Sequence, residues 1–251
     1  MGDRSAIEWT EATWNPVTGC SKVSPGCAHC YAETLSRRFG RTTKPWTPAN
    51  ARENVTTHDA RLEQPMRWRR PRMIFVNSMS DLFHELVPLE FVQRVFDVMT
   101  TTERHTFQVL TKRPERALEI ADAVKWPRNV WLGVSIENSR FTHRADVLRE
   151  IPAAIRFISA EPLLGSLFER GTRKAPLDLT GIDWLIAGGE SGPGYRPVHV
   201  EWARELREAC VGAGVAFFFK QWGGRTPKSG GRVLDGTTYD EWPAAHLAKS
   251  A

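Results

Sequence analysis

From Met73 onward the chain alternates between two rhythms. Short, almost unbroken apolar runs stand at Met73–Val76 and at positions 106–110, 130–134, 155–158, 184–187 and 215–219. Runs of that length suit strands covered on both faces, as in a parallel sheet. Between them lie stretches whose apolar residues recur every three or four positions, such as Val92, Val95, Phe96 and Met99. That spacing predicts helices over 89–101, 114–124, 139–149 and 201–213. Nearer the N-terminus, β-prone pieces at Ile7-Glu8-Trp9 and Thr13-Trp14-Asn15 predict one more strand, ending at Pro16. Tyr31, Leu35 and Phe39, at fourfold spacing before Gly40, predict a helix over 28–39.

Strands alternating with helices imply βαβ crossovers and a parallel sheet. The expected fold is therefore α/β, a single-domain partial or distorted (β/α) barrel of about six to seven strands. A doubly wound open sheet is the alternative that periodicity leaves open. The barrel is expected to span 1–224, with a cysteine-bearing loop at 19–31. Residues 41–71 carry Pro45, Pro48, Pro65 and Pro71 and are expected to form an extended loop insertion of the lid type. Residues 225–251, with turn signals at Gly230-Gly231 and Asp235-Gly236, are expected to form a covering tail of hairpin and short helix.

Composition adds bounds. With 251 residues, 41% hydrophobic and 25% charged, the chain has an ordinary globular make-up. No apolar run approaches the ~18 residues of a membrane span, and Met1 to Ser5 lacks a basic-then-apolar leader, so a cytoplasmic location without membrane contact is expected. A net charge of +5 permits an acidic partner such as nucleic acid without requiring one. Ten Trp, among them Trp46, Trp68, Trp126 and Trp222 near Arg, Lys or Pro, would suit base stacking, but packing of loops and strand ends is the favoured expectation.

Candidate chemistry changes the picture most at Cys20, Cys27 and Cys30. Three of the four cysteines fall within eleven residues, spaced C-x6-C-x2-C among Gly and Pro. Soft thiolates on a loop suit an iron-sulfur cluster or zinc rather than two disulfides. A closed zinc site wants a fourth ligand, for which the neighbouring His29 is awkwardly placed. A four-iron cluster held by three cysteines keeps one iron open for a small molecule.

The loop resembles that of radical S-adenosylmethionine (SAM) enzymes, with a wider first gap than their usual C-x3-C-x-aromatic-C. Trp14-Asn15-Pro16, Gly19-Cys20, Cys27-x-x-Cys30-Tyr31-Ala32, 79–84, 133–138, 159–163 and 188–192 together resemble a phage-associated family of unassigned function. That likeness runs from about Trp9 to Gly224. It implies a [4Fe-4S] cluster on Cys20, Cys27 and Cys30 that cleaves SAM reductively to a 5′-deoxyadenosyl radical. It also implies an electron donor such as flavodoxin or ferredoxin. With the basic charge and the Trp and Arg content, it points to a nucleic acid, nucleotide or modified base as substrate. Arg67-Trp68-Arg69-Arg70-Pro71-Arg72 is the candidate phosphate contact, or else a solvated basic loop.

Polar clusters follow six of the predicted strands, where a parallel barrel carries its active residues. Ser80, Asp81 and Asn138 are equally explained as helix caps. Lys112, Glu161, Glu190 and Lys220 are not, because charges in a barrel mouth need a partner or ligand; these are the candidate catalytic residues. By position and resemblance, His29 or Tyr31 is expected near the adenine, Ser78, Asp81, Ser135 and Glu137 at the amine and ribose, and Lys112 or Arg113 at the carboxylate. Two other classes stay open: a zinc-containing nucleic-acid-binding module, and a non-redox barrel hydrolase using Glu161 or Glu190 with Lys112.

Overall fold

The protein is seen in a computed structural model that describes residues 5–168 and 176–244. Its strands are β1 (Ala12–Trp14), β2 (Val17–Thr18), β3 (Thr56–Thr57), β4 (Met73–Val76), β5 (Thr106–Thr111), β6 (Val130–Ser135), β7 (Ile155–Ala160), β8 (Trp184–Gly188) and β9 (Ala216–Gln221). Its helices are α1 (Tyr31–Arg38), α2 (Ala51–Asn54), α3 (Leu89–Thr101), α4 (Pro114–Glu119), α5 (His143–Glu150) and α6 (Val200–Ala213). Seven strands form one sheet in the order β1-β4-β5-β6-β7-β8-β9. Strand order follows chain order without reversal, which is the connectivity of a partial (β/α) barrel. A doubly wound sheet would show a switch point, and none occurs. The chain falls into two compact units, 1–132 with 151–154 and 133–150 with 155–251.

In the first unit β1 pairs in parallel with β4, and β4 with β5. The apolar runs are buried as their lack of alternation predicted; Ile74, Val76, Phe107 and Val109 are sealed from solvent. Helix α3 spans the residues expected of it and buries Phe91, Val92, Val95, Phe96, Val98 and Met99. Helix α4 is shorter than expected and passes into a 3-10 turn at Ala121–Ala123.

The 41–71 segment differs from the expected extended loop. It pairs β3 antiparallel with β2, forms α2 and three 3-10 turns, and buries Trp46, Leu62 and Trp68. Its prolines start 3-10 turns at Pro48 and Pro65, where a missing N–H costs nothing. Large aromatics make the segment a packed layer, since each buried Trp gains more from leaving water than a mobile loop would. Trp14 closes the layer by donating from Nε1 to the Arg61 carbonyl at 2.8 Å.

In the second unit β7, β8 and β9 are parallel neighbours, with an irregularity at Ala187/Gly188. Gly133 has no room for a side chain, because a Cβ would stand 2.3 Å from the Phe157 ring. Helix α5 begins later than expected, after a 3-10 turn over Ser139–Phe141 whose first free N–H is capped by Asn138 Oδ1. After β9, Leu234 and Thr237 bridge across the Asp235-Gly236 turn, and the Trp242 ring stacks on Trp184 at 4.9 Å. The short helix expected near the C-terminus falls largely on 245–251, outside the described residues, as do Met1 to Arg4 and the 169–175 part of the irregular stretch after β7. No helix among the described residues is long and apolar enough to cross a membrane.

His105, sealed from solvent before β5, sets a pH limit on the first unit. Its Nε2 contacts the Pro65 carbonyl at 3.0 Å, and its Nδ1 is buried without a hydrogen-bond partner. Burial pushes its pKa below the ordinary 6.5, helped by Arg104 and Arg72. The folded state thus binds fewer protons than the unfolded chain, and stability falls as pH drops below that ordinary value. Urea midpoints should decrease between about pH 7 and about pH 5.5, and His105→Gln should flatten this decrease.

Candidate functional site

The cysteine loop leaves β2 and is tied to the carboxyl end of β4. Asn15 Oδ1 accepts from the Met79 N–H at 2.8 Å, and Asn77 Oδ1 accepts from the Val17 N–H at 3.2 Å. The Gly19 N–H donates to the Met79 carbonyl at 3.0 Å, and Ser80 Oγ to the Val17 carbonyl at 2.9 Å. Gly19 adopts φ +82°, and a Cβ there would lie 1.8 Å from the Asn54 carbonyl oxygen. Trp14-Asn15-Pro16 and Gly19 are thereby explained by backbone ties that aim the loop.

Arg113, at the end of β5, then grips the loop itself. Its Nη2 donates to the Ser21 carbonyl at 3.1 Å and to Ser21 Oγ at 3.0 Å, and its Nη1 stands 3.5 Å from Cys20 Sγ. Asp81 and Glu85 hold the guanidinium at 3.4 and 3.0 Å. Asp81 also accepts from Thr111 Oγ1 at 2.8 Å and from the Lys112 and Phe83 N–H groups at 3.0 Å each. Its lone pairs are thus engaged inside the protein. His84 accepts from the Leu86 N–H at Nδ1, which leaves Nε2 to donate to Ser21 Oγ at 2.9 Å.

All four cysteines are free thiols. Cys20 and Cys30 pack on the same apolar cluster of Ala32, Trp46 and Met79. Burial pushes the Cys20 thiol up to about 12, with Asp81 adding to the rise and Arg113 opposing it. Burial raises Cys30 as well, and the charge of Cys27 bears on both thiols while Lys112 favours the Cys30 thiolate. Cys20 and Cys30 therefore share one neighbourhood, with the Arg113 guanidinium beside Cys20. Cys210 is separate in character: it is sealed on α6, its thiol pushed up to about 12 by burial.

As donors, three cysteine thiols on one loop fit an iron-sulfur cluster in type. Among the described residues no three His, Cys, Asp or Glu side chains stand in an arrangement that would hold a metal ion as it is. Tyr31 and Ser78 come together beside the thiols, the phenol donating to the Ser78 carbonyl at 2.5 Å, and His29 lies at the surface.

The second unit brings its own polar residues together. Lys220 Nζ donates to Glu161 Oε1 at 2.6 Å, half-buried at the ends of β9 and β7. Glu190 is buried and clasped by Arg196, with Nε to Oε2 at 2.9 Å, Nη2 to Oε1 at 2.5 Å and the Arg196 N–H to Oε2 at 3.0 Å. Glu137 is sealed and pairs with Arg144 at 3.1 Å, and the same Nη1 donates to the Ser135 carbonyl at 2.7 Å. That buried ion pair is one structural reason for Glu137.

Gly189 and Gly223 owe their smallness to backbone crossing backbone. A Cβ on Gly189 would lie 1.9 Å from the Trp222 carbonyl oxygen, and one on Gly223 2.2 Å from that of Glu190. The crossing fixes Glu190 and Lys220 at the strand ends.

Arg196 was missed because it sits in a Gly- and Pro-rich stretch that shows no periodicity; a lone Arg six positions after a buried Glu was the available signal. The basic segment 67–72 is divided: Trp68 is buried under Arg72 at 5.0 Å, Arg67 pairs with Glu63 at 3.7 Å, and Arg69 and Arg70 are exposed. Trp222 packs on Phe219 and Trp126 on Phe96, as the packing expectation for Trp held.

Residues 4–243 match the family described as protein of unknown function (DUF5131), and the chain belongs to it. No curated protein matches the chain. A solved structure, "Spore photoproduct lyase complexed with dinucleoside spore photoproduct", is similar over 77% of this chain at 14% identity with a TM-score of 0.41. This chain spans 58% of that one, less than two thirds of its length.

Removing Arg113 leaves Asp81 buried without its cation. Arg113→Met should destabilise the protein by about 3 kcal/mol, and a cycle with Asp81→Asn should show at least ~1 kcal/mol of coupling in urea unfolding. Gly189→Ala should cost about 1–3 kcal/mol because backbone must move. Gly212→Ala, in open space on α6, should instead stabilise by up to ~1 kcal/mol, both read from thermal midpoints.

Proposed function

We propose that the protein is an enzyme of the radical SAM type, in which Cys20, Cys27 and Cys30 hold a four-iron four-sulfur cluster and S-adenosylmethionine is the cosubstrate. The observation that carries this reading is that all three cysteines sit on one loop, with Cys20 and Cys30 packed on the same apolar cluster and the loop gripped by Arg113 at Ser21. With S-adenosylmethionine bound, the cluster would supply the electron that breaks a carbon–sulfur bond and yields a 5′-deoxyadenosyl radical.

The chain's own residues have narrower tasks. Arg113 and Ser21 keep the loop in register, and Arg113 lowers the cost of charge on Cys20. Lys112, just past the end of β5, supplies positive charge suited to a carboxylate. Tyr31 and Ser78, already joined, are assigned to the nucleoside side with His29. Asp81 holds Arg113, and Ser135 and Glu137 hold Arg144. Glu161 and Lys220 are the pair suited to hold or move a proton on a substrate, and Glu190, fixed by Arg196, orients polar substrate atoms. The electron would come from a flavodoxin- or ferredoxin-like donor, and the substrate class is a nucleic acid, nucleotide or modified base.

Anaerobic reconstitution with iron and sulfide should give about four irons per chain and a reduced-state paramagnetic signal that shifts on adding S-adenosylmethionine. Cys27→Ala should abolish it, whereas Cys210→Ala should leave it intact. One tightly held zinc and no iron under any condition would overturn the reading.

A further inference from the structure

Helix α1 is inverted with respect to its sequence pattern. Tyr31, Leu35 and Phe39, whose fourfold spacing predicted the helix, are 51%, 36% and 62% exposed. The face turned inward carries Ala32, Glu33 and Ser36. Glu33 has a reason to be there: it accepts from the Trp46 N–H at 2.9 Å and pairs with Lys22 at 3.0 Å, so it belongs to the scaffold of the cysteine loop. Tyr31 is tied inward by its phenol, which donates to the Ser78 carbonyl at 2.5 Å, whereas Leu35 and Phe39 stand outward on the same side. An exposed row of this kind, standing beside unneutralised charge, marks a recognition surface.

The charge around it is of one sign. Arg37, Arg38 and Arg41 are exposed, and none forms an ion pair among the described residues. The guanidiniums of Arg38 and Arg41 both stand over the Phe39 ring, at 6.0 and 5.7 Å. Arg41 further crowds Arg61 and His58: its charge adds to burial in pushing the pKa of both downward. Positive charge is thus in excess at this end of α1.

We infer that the α1 face of Leu35, Phe39, Arg38 and Arg41 docks a single strand of nucleic acid, with a base on the Phe39 ring and phosphates on the arginines. Single-strand binders combine these two parts, an aromatic platform for base faces and cations along the backbone. An unpaired strand is favoured over a duplex because a side-chain ring can stack only on a base that is free of its partner. This inference stands on the surface alone and does not depend on the cluster.

Fluorescence anisotropy of the full-length protein with a labelled single-stranded oligonucleotide of about 20 nucleotides tests it, in DNA and RNA forms. Binding should weaken steeply between about 50 and about 200 mM salt. Phe39→Ala should weaken it about ten-fold and Phe39→Trp should restore it, since stacking is what the ring supplies. Arg38→Gln with Arg41→Gln should reduce the slope of log affinity against log salt by about 1.4. Phe39 and both arginines are exposed, so thermal midpoints should stay unchanged. The inference is overturned if the wild type fails to bind at about 50 mM salt, or if these variants bind as the wild type does. Binding retained by Cys27→Ala protein that holds no iron would support it independently of the cluster reading, whereas loss of the iron signal with these binding results intact would sink only that reading.

Discussion

The grip of Arg113 on the cysteine loop is the interaction on which the candidate centre depends. Three thiols on a Gly- and Pro-bearing loop have many ways to be apart, and ordering such a segment costs on the order of 1 kcal/mol per residue in backbone freedom. A single guanidinium offsets part of that cost by joining the Ser21 backbone and side chain, Cys20 and two carboxylates. Asp81 is the counterweight. Because its oxygens are also satisfied by Thr111 and by two backbone N–H groups, the arginine is held by something that is itself fixed.

The second unit solves a different problem with backbone. Gly189, Gly223 and Gly230 let the segments after β8 and β9 cross at distances no side chain would permit. Glu190 and Lys220 emerge from that crossing, each with an opposite charge in contact, in Arg196 and Glu161. Charges without such partners would not be tolerated at buried or half-buried strand ends. The glycines that look like a loop signal in the sequence are, in the fold, a way of stiffening one.

Legibility followed the strength of the local pattern. Met73–Val76 and Leu89–Thr101 were readable to the residue because an apolar run and a threefold-fourfold rhythm each have one good interpretation. The 41–71 segment was not, since its turns are made by prolines and its anchoring by scattered Trp46, Leu62 and Trp68, which carry no period. Helix α1 was readable as a helix and misleading as to its face. Periodicity reports that a stripe exists but not what covers it, and here Glu33 is drawn inward by Trp46 and Lys22.

What the sequence determined by itself was the alternation of strand and helix, the polar punctuation after each strand, and the crowding of Cys20, Cys27 and Cys30 into a soft-ligand set. Those are properties of neighbours along the chain. Only the tertiary structure decided that Asp81 and Glu137 serve arginines, that Arg113 and Arg196 hold their sites together, and that Phe39 faces water. Each of these rests on a pairing between distant or aperiodic positions, such as Arg113 with Ser21, and pairings of that kind leave no mark in local spacing.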